Sequence, residues 1–168
     1  MIPYGKQKIF QDDINSVVKV LKSDWLTQGL LVPHFEDLIS KFTTAKYVTA
    51  VNSATSALHI ACLALGLKKN GLLWTVPNTF VSSANCALFC DAKVDFVDID
   101  YETKNISIKK LEEKLIEAKR INQLPDILIP VAFGGHSCEM EKIHSLSKKY
   151  DFKIIEDASH AIGGSYKG

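Results

Sequence analysis

Ile127-Leu128-Ile129-Pro130-Val131-Ala132 is a continuous apolar run, and Phe152-Lys153-Ile154-Ile155-Glu156-Asp157 is a second one that ends in two acids. Between them, Glu139 to Tyr150 carries helical spacing. A run apolar at successive positions suits a strand buried on both faces, as in a parallel sheet. Strand, helix, strand is the unit from which such sheets are built. Ligands of these sheets sit beyond the carboxyl ends of the strands, so Asp157 stands where chemistry is expected.

The alternation continues toward the N-terminus. Leu72 to Val76 reads as a strand stopped by Pro77, Val81 to Cys90 as a helix of small residues, and Lys93 to Ile99 as a strand around Val94, Phe96 and Val97. Ser107 suits the N-cap of a helix reaching Arg120, with Lys110, Glu113, Lys114 and Glu117 on its wet face. Tyr47 to Val51 is a short β-rich run, and Ala54 to Leu65 is helical and apolar on most sides, hence expected to be buried. Two amphipathic helices precede these segments. One carries Ile14, Val17, Val18 and Leu21 behind Asp12-Asp13, and the other carries Phe35, Leu38, Ile39 and Phe42 behind Pro33. Asp24-Trp25-Leu26-Thr27-Gln28-Gly29 lacks a helical period and reads as a loop between them. The fold class that follows is α/β, a mostly parallel sheet with helices on both faces.

Composition narrows the partners. With 20 basic against 19 acidic residues and a net charge of +1, neither nucleic acid nor an anionic membrane is expected as the main partner. No stretch is long and apolar enough to span a bilayer, and Met1-Ile2-Pro3-Tyr4-Gly5 lacks the features of a signal peptide, so a cytoplasmic protein is expected. Cys62, Cys86, Cys90 and Cys138 form neither a CxxC pair nor a zinc-type spacing, which points to packing thiols and no metal site.

Four strand-end segments carry the candidate chemistry. Asn52-Ser53-Ala54-Thr55-Ser56-Ala57 opens a helix, and serves either as an anion cradle with free N–H groups or simply as an N-cap. Phe80 in Pro77-Asn78-Thr79-Phe80 is either a platform for a planar ring or a core side chain. A strand ending in Glu156-Asp157 calls for a cationic partner for one carboxylate, such as a protonated pyridine nitrogen. The alternative for Asp157 is a helix N-cap. His160 is either within reach of such a ring's hydroxyl or a hydrogen-bonded core histidine.

These segments, together with Ile2-Pro3-Tyr4-Gly5, Asp24-Trp25-Leu26-Thr27-Gln28-Gly29 and Trp74-Thr75-Val76-Pro77, resemble the DegT-type nucleotide-sugar aminotransferases of pyridoxal-phosphate (PLP) fold type I. The resemblance runs in order through the whole chain. It implies the three-layer, aspartate aminotransferase-like large domain, truncated at its C-terminal side. It divides the chain into an N-terminal helix and substrate loop (1–30) and a partial cofactor-binding domain (31–168), without the small C-terminal domain. It implies pyridoxal 5'-phosphate as cofactor, with Ala54 and Thr55 at the phosphate, Phe80 on the ring, Asp157 at the ring nitrogen and His160 at the ring oxygen. Tyr4, Thr27, Gln28 and Gly29 would border the sugar site. The reaction implied is amino transfer, with glutamate as donor, to the 4-keto carbon of a UDP- or dTDP-linked 6-deoxy sugar, in a homodimer. Leu26 to Gly29, Asn52 to Leu58 and Asp95 to Asp100 resemble the branch serving pseudaminic acid biosynthesis. In the family the Schiff-base lysine follows the Asp-containing motif by a couple of dozen residues, beyond Gly168, and Lys167 does not stand in its place. The other reading is a non-catalytic fragment, or a decayed gene product, that binds PLP or a sugar nucleotide. In either case helices shaped to cover missing neighbours would expose apolar faces.

Overall fold

The computed structural model describes residues 5–168 and divides at Ala50/Val51 into two compact units. Tyr4 lies outside the described residues.

The first unit contains α1 (Gln11–Leu21) and α2 (Leu31–Thr43). Asp12 and Asp13 sit in the first turn of α1, where negative charge favours the helix dipole, and the Asp13 carboxylate accepts the Phe10 N–H at 2.8 Å. Thr44 ends α2 in a left-handed conformation. Neither helix buries a side chain, so the apolar stripes of Val17 and Leu21, and of Phe35, Leu38 and Phe42, are open to solvent. The expected loop lies between the helices, with Gln28 at φ 53°. Tyr47 to Val51, by contrast, forms no strand. A β-rich run becomes a strand only where a neighbour takes its N–H and C=O groups. Here the Ala50 N–H goes instead to the Glu36 carboxylate at 2.8 Å.

The second unit is built on a parallel sheet of β1 (Leu72–Thr75), β2 (Lys93–Phe96), β3 (Ile127–Leu128) and β4 (Lys153–Ile154), in the order β2-β1-β3-β4. Four helices accompany it: α3 (Ala54–Ala64), α4 (Ser82–Leu88), α5 (Ile108–Arg120) and α6 (Met140–Tyr150). Strand alternation sends Leu73, Ile127 and Ile129 into one apolar cluster with Leu58 and Cys62 of α3 and Cys86 and Ala87 of α4. Trp74 and Leu128 enter the opposite cluster with Leu111 and Leu115 of α5 and Ile143 and Leu146 of α6. Helices therefore cover both faces of the sheet, giving the three-layer α/β architecture.

Several boundaries differ from expectation. The run from Ile127 to Ala132 pairs regularly only at its start, because Pro130 has no N–H to give. Its extended path still places Ile129 N–H on the Trp74 carbonyl (2.8 Å) and bridges Val131 to Asp157. Strand β2 stops before Ile99, which bridges to Ile106 instead. Helix α3 buries only Leu58 and Cys62, while Ile60 and Leu63 face outward. Ser107 caps α5, accepting the Lys110 N–H at 3.3 Å. Lys114, expected on the wet face, folds back over the Trp74 ring, pairs with Asp95 (2.7 Å) and donates to the Phe96 carbonyl (2.6 Å).

Candidate functional site

Asp157 ends the extension of β4 and is tied to the segment that continues β3, receiving the Ala132 N–H on its carbonyl and donating its own N–H to the Pro130 carbonyl, both at 3.0 Å. These bonds hold it at the carboxyl edge of the sheet. Its side chain is buried while the adjacent Glu156 is exposed, so of the two acids Asp157 is the one taken out of water. Oδ2 accepts the Ser83 hydroxyl at 2.7 Å, and Oδ1 accepts the Ser159 hydroxyl at 2.6 Å and the Ser159 N–H at 3.3 Å. No lysine or arginine among the described residues pairs with it. The Ser159 contacts make a local turn, and no helix follows, so Asp157 is not a helix N-cap.

Ser83 lies fully buried in α4, and its hydroxyl also meets the Thr79 hydroxyl at 2.8 Å. Thr79, Ser83, Asp157 and Ser159 thus form one hydrogen-bonded chain linking the segments after β1 and β4. Neither Ser83 nor Thr79 is a site candidate by sequence, since Thr79 lies ahead of α4 and no helical spacing links the two hydroxyls. Phe80, the next residue after Thr79, is 73% exposed, so it is not a core side chain.

His160 is exposed and is therefore not a core histidine either. Its backbone is fixed against the short 3-10 turn Phe133–Gly135: a Cβ on Gly135 would lie 2.7 Å from the His160 carbonyl oxygen, and Gly135 has φ +87°. Only glycine fits both demands.

At the start of α3, Ser53 is the N-cap and accepts the Ser56 N–H at 3.2 Å, while the Ser56 hydroxyl donates to Asn52 at 2.7 Å. The first intrahelical bond is Ala57 N–H to the Ser53 carbonyl, so the amides of Ala54 and Thr55 precede it and point out of the helix end. Helix α3 leads through Leu65–Gly71 into the amino end of β1. Thr27, Gln28 and Gly29 belong to the first unit.

The four cysteines are free and buried. A hydrogen bond to Cys86 and burial push the Cys62 thiol up, while the same bond draws Cys86 down. Burial pushes Cys138 up to about 11. Among the described residues no cluster of His, Cys, Asp or Glu could hold a metal ion, and no helix is long and apolar enough to cross a membrane. A groove of about 660 Å³ lined by Asp100, Asn105, Ser107, His136 and Lys142 contains none of the expected site residues.

The sequence profile of the DegT/DnrJ/EryC1/StrS aminotransferase family matches residues 7–168. The chain belongs to this family. It is 46% identical over 168 residues to the UDP-4-amino-4,6-dideoxy-N-acetyl-beta-L-altrosamine transaminase of Campylobacter jejuni, covering all of this chain and 43% of that protein. Among solved structures it resembles Helicobacter pylori PseC, described as an aminotransferase involved in the biosynthesis of pseudoaminic acid. The TM-score is 0.86 and the identity 30%, over 99% of this chain and 43% of that one. Spr1654 of Streptococcus pneumoniae, described as a putative sugar aminotransferase and solved in a PLP form, gives a TM-score of 0.88 at 25% identity, over 99% and 45% of the two chains. The chain therefore spans less than half the length of these relatives.

The cofactor of DegT-family aminotransferases is pyridoxal phosphate, and the residues present fit it. A phosphate dianion suits the outward amides at the start of α3. A protonated ring nitrogen suits a buried carboxylate whose protein partners are hydroxyls and an amide and include no lysine or arginine.

Proposed function

We propose that this chain forms the cofactor-binding part of an aminotransferase that moves an amino group from glutamate to the 4-keto carbon of a UDP-linked 6-deoxy sugar. The single observation that carries the reading is Asp157. It is an acid buried at the carboxyl edge of a parallel sheet, held on both oxygens by neutral donors, in a chain of this family. When bound, pyridoxal phosphate supplies an electron sink and a carrier for nitrogen between two half-reactions.

The chain's own groups then have distinct tasks. The Ala54 and Thr55 amides, with the Thr55 hydroxyl, anchor the phosphate. Phe80, already exposed beside the Thr79 hydroxyl, covers one face of the ring. Asp157 keeps the ring nitrogen protonated through a charge-assisted hydrogen bond, which maintains the electron sink. His160, set by its backbone contact with Gly135, meets the ring oxygen. Tyr4, Thr27, Gln28 and Gly29 border the sugar nucleotide, and a second copy of the protein completes the site.

Lys167 pairs with Glu141 on α6, which supports leaving the Schiff-base role to another lysine.

The test uses the protein as its cells make it, supplied with glutamate and a UDP-linked 4-keto-6-deoxy-N-acetylhexosamine, with products followed by mass spectrometry. A 4-amino sugar with loss of glutamate is the expected result. Transfer only to a dTDP-linked sugar would correct the substrate, and no transfer from any amino donor would favour binding without catalysis.

A further inference from the structure

Ser83 has one hydroxyl proton, and it goes to Asp157 Oδ2 at 2.7 Å, because a carboxylate only accepts. In the 2.8 Å contact between Thr79 and Ser83, Thr79 must therefore be the donor. The protons run in one direction, from Thr79 to Ser83 to Asp157. On the other side Ser159 donates twice to Oδ1. A carboxylate anchored through both oxygens cannot turn about its terminal bond, and what remains available is a defined set of lone pairs. Ser83 lies fully buried in α4, remote in sequence from Asp157, so its effect must be exerted through Asp157 and not by contact with solvent-borne ligand.

We propose that Ser83, held by Thr79, is a positioning residue that aims the Asp157 carboxylate at the cofactor's ring nitrogen. This rests on the cofactor reading above. Its consequence is that the benefit of Ser83 exists only for a ligand with a nitrogen at that ring position. A serine that merely fills space in α4 would support every ligand of the site equally.

The experiment titrates the apo-protein, as its cells make it, with pyridoxal phosphate and with the analogue in which carbon replaces the ring nitrogen, following absorbance and intrinsic fluorescence. Ser83→Ala should weaken pyridoxal phosphate by about tenfold, the low end of what one hydrogen bond to a charged group contributes. It should leave the carbon analogue's affinity unchanged, and Ser83→Thr, which keeps a hydroxyl, should restore the preference. Equal weakening of both ligands, or no weakening of either, would overturn the positioning role. If Ser83→Ala does not fold, Thr79→Val replaces it. That variant keeps the side-chain shape, and a smaller loss confined to pyridoxal phosphate is expected, with no selective loss overturning the proposal. Wild-type protein that binds neither ligand would overturn the cofactor reading itself, and the proposal with it.

Discussion

Gly135→Ala should damage this protein well beyond what the loss of one glycine costs elsewhere, and Gly134→Ala supplies the comparison one residue away. Both glycines have positive φ, +59° and +87°, so an alanine at either position pays the left-handed penalty of about 1–2 kcal/mol. They differ in surroundings. A Cβ on Gly134 has nothing within 4 Å, whereas one on Gly135 would lie 2.7 Å from the His160 carbonyl oxygen. Relief requires the backbone of the 157–164 turn to move by roughly half an ångström, and forced rearrangements of packed sites cost about 1–3 kcal/mol. Gly135→Ala should therefore be less stable than Gly134→Ala by about 1–3 kcal/mol, which is about 2–12 °C in Tm for a chain of this size. Thermal unfolding followed by circular dichroism measures the stability difference, and a parallel cofactor titration reads the site, since the moving turn also carries Asp157. Equal Tm values for the two variants, or unchanged cofactor affinity in Gly135→Ala, would refute the claim that this contact sets the position of His160.

Two further outcomes follow from the surface. Burial is the largest single influence and pushes Asp95 up, but the Lys114 hydrogen bond, the Phe96 N–H and the Lys114 charge together outweigh it and hold Asp95 below its ordinary carboxylate range. Its contribution is therefore present at neutral pH and is lost as pH falls through that lowered range. Because Asp95 is more than half exposed, Asp95→Asn should cost less than about 1 kcal/mol in urea unfolding at neutral pH and nothing in acid; a cost that grows on acidification would contradict this. The open stripes of α1 and α2 should make the isolated chain oligomeric or poorly soluble, and Val17→Glu with Phe35→Glu should relieve that in light scattering. A monomeric wild-type chain with one sharp unfolding transition would contradict it.

The sequence was most informative where structure is local. Period-3.6 apolar spacing located the helices to within a few residues, and serine at position 107 announced the start of α5. Alternation of strands and helices was enough for a parallel sheet, because few other packings bury such a pattern. Pairing is a property of two strands, however, and Tyr47 to Val51, β-rich by composition, finds no partner. Lys114 likewise looked solvated by helix phase alone, and its turn toward Trp74 and Asp95 depends on a strand distant in sequence. At the site, Asp157 stood out as an acid ending a buried strand. Its real neighbours did not, since Ser83 reaches it across 74 residues of sequence. The expected need for a cation is left open by the protein's lysines and arginines, and hydroxyls from Ser83 and Ser159 hold the carboxylate ready.

The most direct test of the central claim is a pyridoxal phosphate titration of the protein and of Asp157→Ala, followed by absorbance and then by borohydride reduction with mass spectrometry. Saturable binding by the wild type, weakened at least about tenfold in Asp157→Ala, with no reduced adduct on Lys167, is the predicted result. Equal binding by the two proteins, or a reduced adduct at Lys167, would contradict the site described here.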